Sequence, residues 1–126
     1  KYDEWGAALV ALAGPLTNLV LAFIFFGMYA LFGMSAGGMV AQVLILAVTV
    51  NLGFFVFNMI PFPPLDGSRV LYALAPEFVR RGMEALERFG IIVIFALVLL
   101  ASPILSTLLS TSISFFVRLF ATIFGV

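Results

Sequence analysis

From Trp5 to Leu65 the chain runs for 61 residues without one Asp, Glu, Lys, Arg or His. A bilayer core roughly 30 Å thick takes about 20 apolar residues of helix, so this run holds more than one membrane span. A second uncharged run, Phe89 to Val117, is long enough for another. Composition agrees: 64% of residues are hydrophobic and 10% charged, against about 25% charged in soluble domains. The expected fold class is an all-α, polytopic membrane helical bundle with three to four transmembrane helices. It forms a single membrane domain over residues 1–126, since no repeat, low-complexity tract or linker divides the chain. The protein is thus an integral, multi-pass membrane protein whose first partner is the lipid bilayer.

The first run breaks at Gly33-Met34-Ser35-Ala36-Gly37-Gly38, giving span one over about Trp5 to Phe32 and span two over about Met39 to Ile60. Span three runs from about Gly90 to Leu109. In the tail 110–126, Ser110, Ser114, Arg118 and Thr122 recur at steps of four and share one helix face. The tail is either a short last span or a helix lying in the interface. Trp5 suits an interfacial anchor. Two spans bring the chain back to its starting side, so Lys1 and the segment Arg69–Arg88 lie together. That side carries five of the six basic residues and is expected to be cytoplasmic. Within the segment, 76–88 reads as a short amphipathic helix with helix-spaced pairs Glu77 to Arg80 or Arg81, and Glu84 to Arg88.

Six bases balance six acids, and no basic stripe marks a nucleic-acid partner. Absence of Cys excludes disulfides and thiolate metal sites. Absence of His removes the commonest metal ligand and general base, which an enzyme reading must answer for. The start lacks a secretory signal. Because it opens on Lys rather than Met, the chain is expected to be a processed or excised piece.

Polar residues at membrane depth are the candidate functional groups. Ala7, Ala11, Gly14 and Asn18 lie on one face of span one, where small residues let a second helix approach closely. Pro15 removes a backbone hydrogen bond beside them. Asn18 either bonds across helices or shapes a site. Asn51 and Asn58 share a face that must look into protein or a cavity. Pro61, Pro63 and Pro64 then end the helix and imply an extended stretch in the broken segment 61–67. Asp66 follows; an isolated Asp at membrane depth costs about 2.5–3.5 kcal/mol on insertion scales and marks function by default. Its bland role is to cap the helix beginning at Ser68.

Asn58-Met59-Ile60-Pro61-Phe62-Pro63-Pro64-Leu65-Asp66-Gly67 closely resembles the N-x-x-P-x-P-x-L-D-G motif of the site-2 protease family, intramembrane zinc metalloproteases of the M50 class. Ala13-Gly14-Pro15-Leu16-Thr17-Asn18 resembles that family's A-G-P-x-x-N segment. The resemblance implies that Asp66 is the third zinc ligand and that Asn58 positions substrate or stabilises the oxyanion. Pro61, Pro63 and Pro64 would hold an unwound substrate segment, with Asn18 on the helix packed against the site. It implies Zn2+ as cofactor of the intact protein and a transmembrane protein as substrate. The family's other two zinc ligands and its general base come from an H-E-x-x-H helix. With no His in these residues, that segment is expected to lie N-terminal to them and to be a missing partner of this chain. The chain alone is then expected to be inactive. Two alternatives are a fragment of a transporter or channel, since broken helices with polar residues also describe such sites, and a catalytically silent membrane scaffold.

Overall fold

The computed structural model describes residues 2–63 and 65–126, with side chains from Glu4. Among the described residues there are helices and no strands. Helix α1 (Tyr2–Met28) passes through a π-helical turn (Tyr29–Gly33) into the short α2 (Met34–Ala36). Helix α3 (Gly38–Met59) returns, α4 (Gly67–Leu74) and α5 (Glu77–Glu87) are short, and α6 (Ile91–Phe124) closes the chain. Three stretches are long and apolar enough to cross a membrane: Glu4–Ala36, Gly38–Met59 and Ile91–Phe124.

The first reversal falls within the glycine cluster, toward its far end. Gly33 stays helical because it is a packing glycine: a Cβ there would lie 2.8 Å from Leu44 Cδ1. The chain turns instead at Gly37, whose φ of 63° favours a residue without a side chain. Contacts then descend α1 as they climb α3, with Phe26 and Ala22 clustered against Val48 and Leu52. The two helices are antiparallel.

The tail is not a separate element but continues the last apolar helix. Residues 91–124 form one helix with a kink at Ala101 (φ −111°, ψ 17°), two residues before Pro103. The proline ring clashes with the preceding turn and its nitrogen donates no bond, which bends the helix without ending it. Beyond the kink, Phe116 meets Phe55 edge-on at 5.4 Å and Phe120 meets Phe23 at 5.2 Å. Phe120 is buried in the α1–α3 cluster. Ser110, Ser114, Arg118 and Thr122 are all exposed on the opposite face, as their spacing predicts. In lipid, van der Waals packing rather than the hydrophobic effect holds helices together, and interlocked aromatics supply it here.

Gly27 admits α6: a Cβ there would stand 2.8 Å from the Phe124 ring. Gly27→Leu should therefore detach the end of α6 from α1 while leaving the α1–α3 pair assembled. Thiol cross-linking between cysteines placed on α1 and α6 would fall in the variant, and α1–α3 cross-linking would persist.

Candidate functional site

Helix α3 ends because Pro61 and Pro63 cannot continue it. Ile60 is extended (φ −61°, ψ 126°), but the chain beyond it is not the open strand that the prolines suggested. Phe62 N–H donates to Ile60 O (2.8 Å), Leu65 N–H to Phe62 O (2.8 Å) and Ser68 N–H to Leu65 O (3.0 Å). The segment is a chain of tight turns that satisfies part of its own backbone, as a helix break in a membrane protein must. Pro63 and Leu65 are buried beneath it; Pro64 lies outside the described residues. The buried Ser68 hydroxyl donates to Leu65 O at 2.6 Å and locks the last turn.

Gly67 is the pivot. A Cβ on it would collide with the Met59 carbonyl and sit 2.8 Å from Ile60 O. Only glycine lets the start of α4 lie on the carbonyl end of α3, and this close approach aims Asp66 back at α1. Asp66 stands at the N-cap position of α4 but makes no capping bond. Its carboxylate instead faces Gly14, where a Cβ would lie 3.8 Å from Oδ2. Gly6, Ala7, Val10, Ala11 and Arg69 join it around an open cleft of about 400 Å³. The small-residue face of α1 thus approaches α4, and the Asp66 carboxylate lies at that contact.

The other candidates are placed apart. Asn58 donates to Phe54 O (2.9 Å) and Asn51 to Ala47 O (2.8 Å), each within its own helix. Asn18 is half-buried on α1, one turn beyond Gly14. Pro61 lines a separate cleft of about 320 Å³ between α3 and α6, with Leu108 and Phe116.

The charged groups around α4 and α5 account for one another. Arg80 pairs with Glu4 at 2.6 Å, donates to Tyr72 O at 2.8 Å and to Ala73 O at 3.1 Å, and lies over the Tyr72 ring at 4.9 Å. Arg69 meets Glu87 at 3.5 Å and Arg81 meets Glu77 at 3.6 Å. Glu84 does not take Arg88; it accepts the Tyr72 hydroxyl at 2.5 Å. These contacts differ in weight. The exposed Arg81–Glu77 pair is worth about 0.3–0.5 kcal/mol, whereas charge-assisted hydrogen bonds such as those of Arg80 reach about 1.5–3 kcal/mol. Among the described residues, Glu4, Glu77, Glu84 and Glu87 each have a hydrogen-bonding or ionic partner and Asp66 has none. No group of three His, Cys, Asp or Glu side chains converges among the described residues. Asp66 therefore offers one oxygen donor of the set a catalytic zinc needs, and these residues by themselves do not make a metal site.

Fold and site define a multi-pass membrane protein with a solitary acidic group at a helix break. The model of peptidase family M50 matches residues 32–102, more than half of the chain, and the chain belongs to this family of membrane zinc proteases, the site-2 type. The "Putative zinc metalloprotease YwhC" of Bacillus subtilis (strain 168) is 38% identical over 135 residues, covering 98% of this chain and 61% of that protein. The "Putative zinc metalloprotease MJ0611" of Methanocaldococcus jannaschii is 45% identical over 62 residues, covering 49% of this chain and 31% of that protein. The chain thus spans less than two thirds of either relative. No solved structure matches it.

Two outcomes follow from this geometry. Gly67→Ala should misplace α4 and lower thermal stability by about 1–3 kcal/mol, the usual range for forced overpacking; Gly82→Ala, where a Cβ meets open space, serves as the control. The hydrogen bond to Glu84, with that carboxylate's charge, raises the Tyr72 phenol above its ordinary 10.0. A pKa raised on folding means that this contribution is complete below the unfolded phenol's pKa and fades as pH climbs through the folded value. Ultraviolet titration should find Tyr72 ionising late, and Glu84→Ala should bring it back toward the ordinary range.

Proposed function

We propose that this chain is the third-ligand half of an intramembrane zinc protease, with Asp66 as the ligand it contributes. The unpartnered Asp66 carboxylate carries the reading. Every other described acid is engaged, while this one sits within the family's proline motif against a wall of small residues. Its depth supports the reading: Asp66 lies level with Gly14, ten residues from Glu4, which is about 15 Å along the helix axis. Two His ligands and the Glu base would come from sequence outside these 126 residues. Bound zinc would supply a water acidic enough to serve as hydroxide near neutral pH.

The chain's own groups would then do the remaining work. The cleft beside Gly6, Ala7 and Ala11 leaves room for a substrate backbone to approach Asp66, with Val10 and Arg69 as its larger lining side chains. A peptide must unwind to expose its carbonyl, and the helix-free Pro61–Pro63 turns, which precede Asp66 in the chain, would hold that unwound segment. Asn58, by exchanging its bond to Phe54 O for one to substrate, would orient the scissile carbonyl, with Asn18 on the facing helix. The substrate is a transmembrane protein, and the Arg69–Arg88 segment faces the cytoplasm.

In the full-length protein, Asp66→Asn should weaken zinc binding by at least about 100-fold, beyond what loss of a supporting residue costs, and abolish cleavage of a transmembrane reporter. The 126-residue chain alone should hold no stoichiometric zinc. Metal analysis of both proteins decides: full zinc occupancy in the Asp66→Asn protein would overturn the assignment.

A further inference from the structure

We propose that Arg80 is a positioning residue for Asp66, acting through α4 as a rigid lever. The inference rests on the reading of Asp66 as a ligand, because only then does its placement matter to function. Among the described residues Asp66 makes no side-chain hydrogen bond or ion pair that would fix its carboxylate, so its position follows that of α4. That helix is eight residues long, about 12 Å at 1.5 Å per residue. One end turns on Gly67 where it rests on the carbonyls of α3. The other end is gripped by Arg80, whose Nε and Nη2 take the Tyr72 and Ala73 carbonyls. These carbonyls belong to the last turn of α4, where a helix lacks internal donors and favours a cation. The same guanidinium holds Glu4 through Nη1, so one side chain ties the start of α1 to the far end of α4, in addition to the direct packing of α4 on α1. Nothing else described joins Glu4 to α4. With one end pivoted and the other clamped, the lever holds Asp66 opposite Gly14. Lysine in place of Arg80 would keep the charge for Glu4 but present no planar fork to two carbonyls.

The absence of Cys from the chain allows a direct test in lipid. A Gly14→Cys/Asp66→Cys pair reports the lever. A Gly33→Cys/Leu44→Cys pair, at the opposite end of the bundle, reports the fold. A Cβ on Gly14 would lie 3.8 Å from Asp66 Oδ2 and one on Gly33 2.8 Å from Leu44 Cδ1, so both pairs should form disulfides under mild oxidation. Arg80→Ala should slow the first bridge about tenfold, the loss expected when a charge-assisted clamp is removed, and leave the second unchanged. Arg80→Lys should restore the first in part. Equal slowing of both bridges would show that Arg80 only supports the fold, and no slowing of either would show that the clamp has no leverage; each result overturns the proposal. The cross-link reads geometry and zinc content reads ligation, so failure of the lever and failure of the protease reading are told apart.

Discussion

The approach of Gly67 to the carbonyls of Met59 and Ile60 joins the end of one membrane helix to the start of the next helix. A helix that stops at membrane depth leaves carbonyls without donors, and lipid offers none. Here the stop is enclosed: turns between Ile60 and Ser68 bond to one another, Ser68 closes the last of them, and α4 lies directly on the end of α3. Without that compact closure the chain would need a longer connection, and α4 would no longer abut α1. The prolines end α3, and the glycine decides where the chain goes afterwards.

The α1–α3 pair gives this junction something to lean on. Its core is built from small and interlocking residues, with Ala22 and Leu52 fully buried and Phe120 of α6 inserted between the helices. Since lipid tails are as apolar as the side chains, tight contact has to come from shape. Gly14, Gly27 and Gly33 are each placed where another element comes close: Asp66, Phe124 and Leu44 respectively. One helix thus receives three different elements at three heights, and the Asp66 contact is one of these registers.

Much of this was legible in the chain because it rests on local pattern. Uncharged length marks spans, prolines mark the break, and the Ala7–Ala11–Gly14 spacing marks the approach face. The misread features depend on contacts between distant residues. Gly33 looks like a turn glycine until Leu44 is seen against it. The tail 110–126 reads as an element apart from span three, yet the packing of Phe116 and Phe120 carries α6 onward through it. Arg80 was visible as one member of a balanced charge cluster with helix-spaced partners. Its actual partner, Glu4, lies 76 positions away, and its other acceptors are backbone carbonyls that no charge pattern reveals. Gly67 stood in the motif all along, but its reason for being glycine is a carbonyl contributed by α3.

The distribution of partners gives Asp66 its meaning. Of the five described carboxylates, four are paired: Glu4 with Arg80, Glu77 with Arg81, Glu87 with Arg69, and Glu84 with the Tyr72 hydroxyl. Arg69 stands on the same cleft as Asp66 and still turns to Glu87. Satisfying Asp66 would have needed only that arginine or an N-terminal capping bond three residues on, both within local reach. Neither is made. An acid with no partner among the described residues, beside a supply of cations, is what the proposed role of Asp66 as a ligand requires.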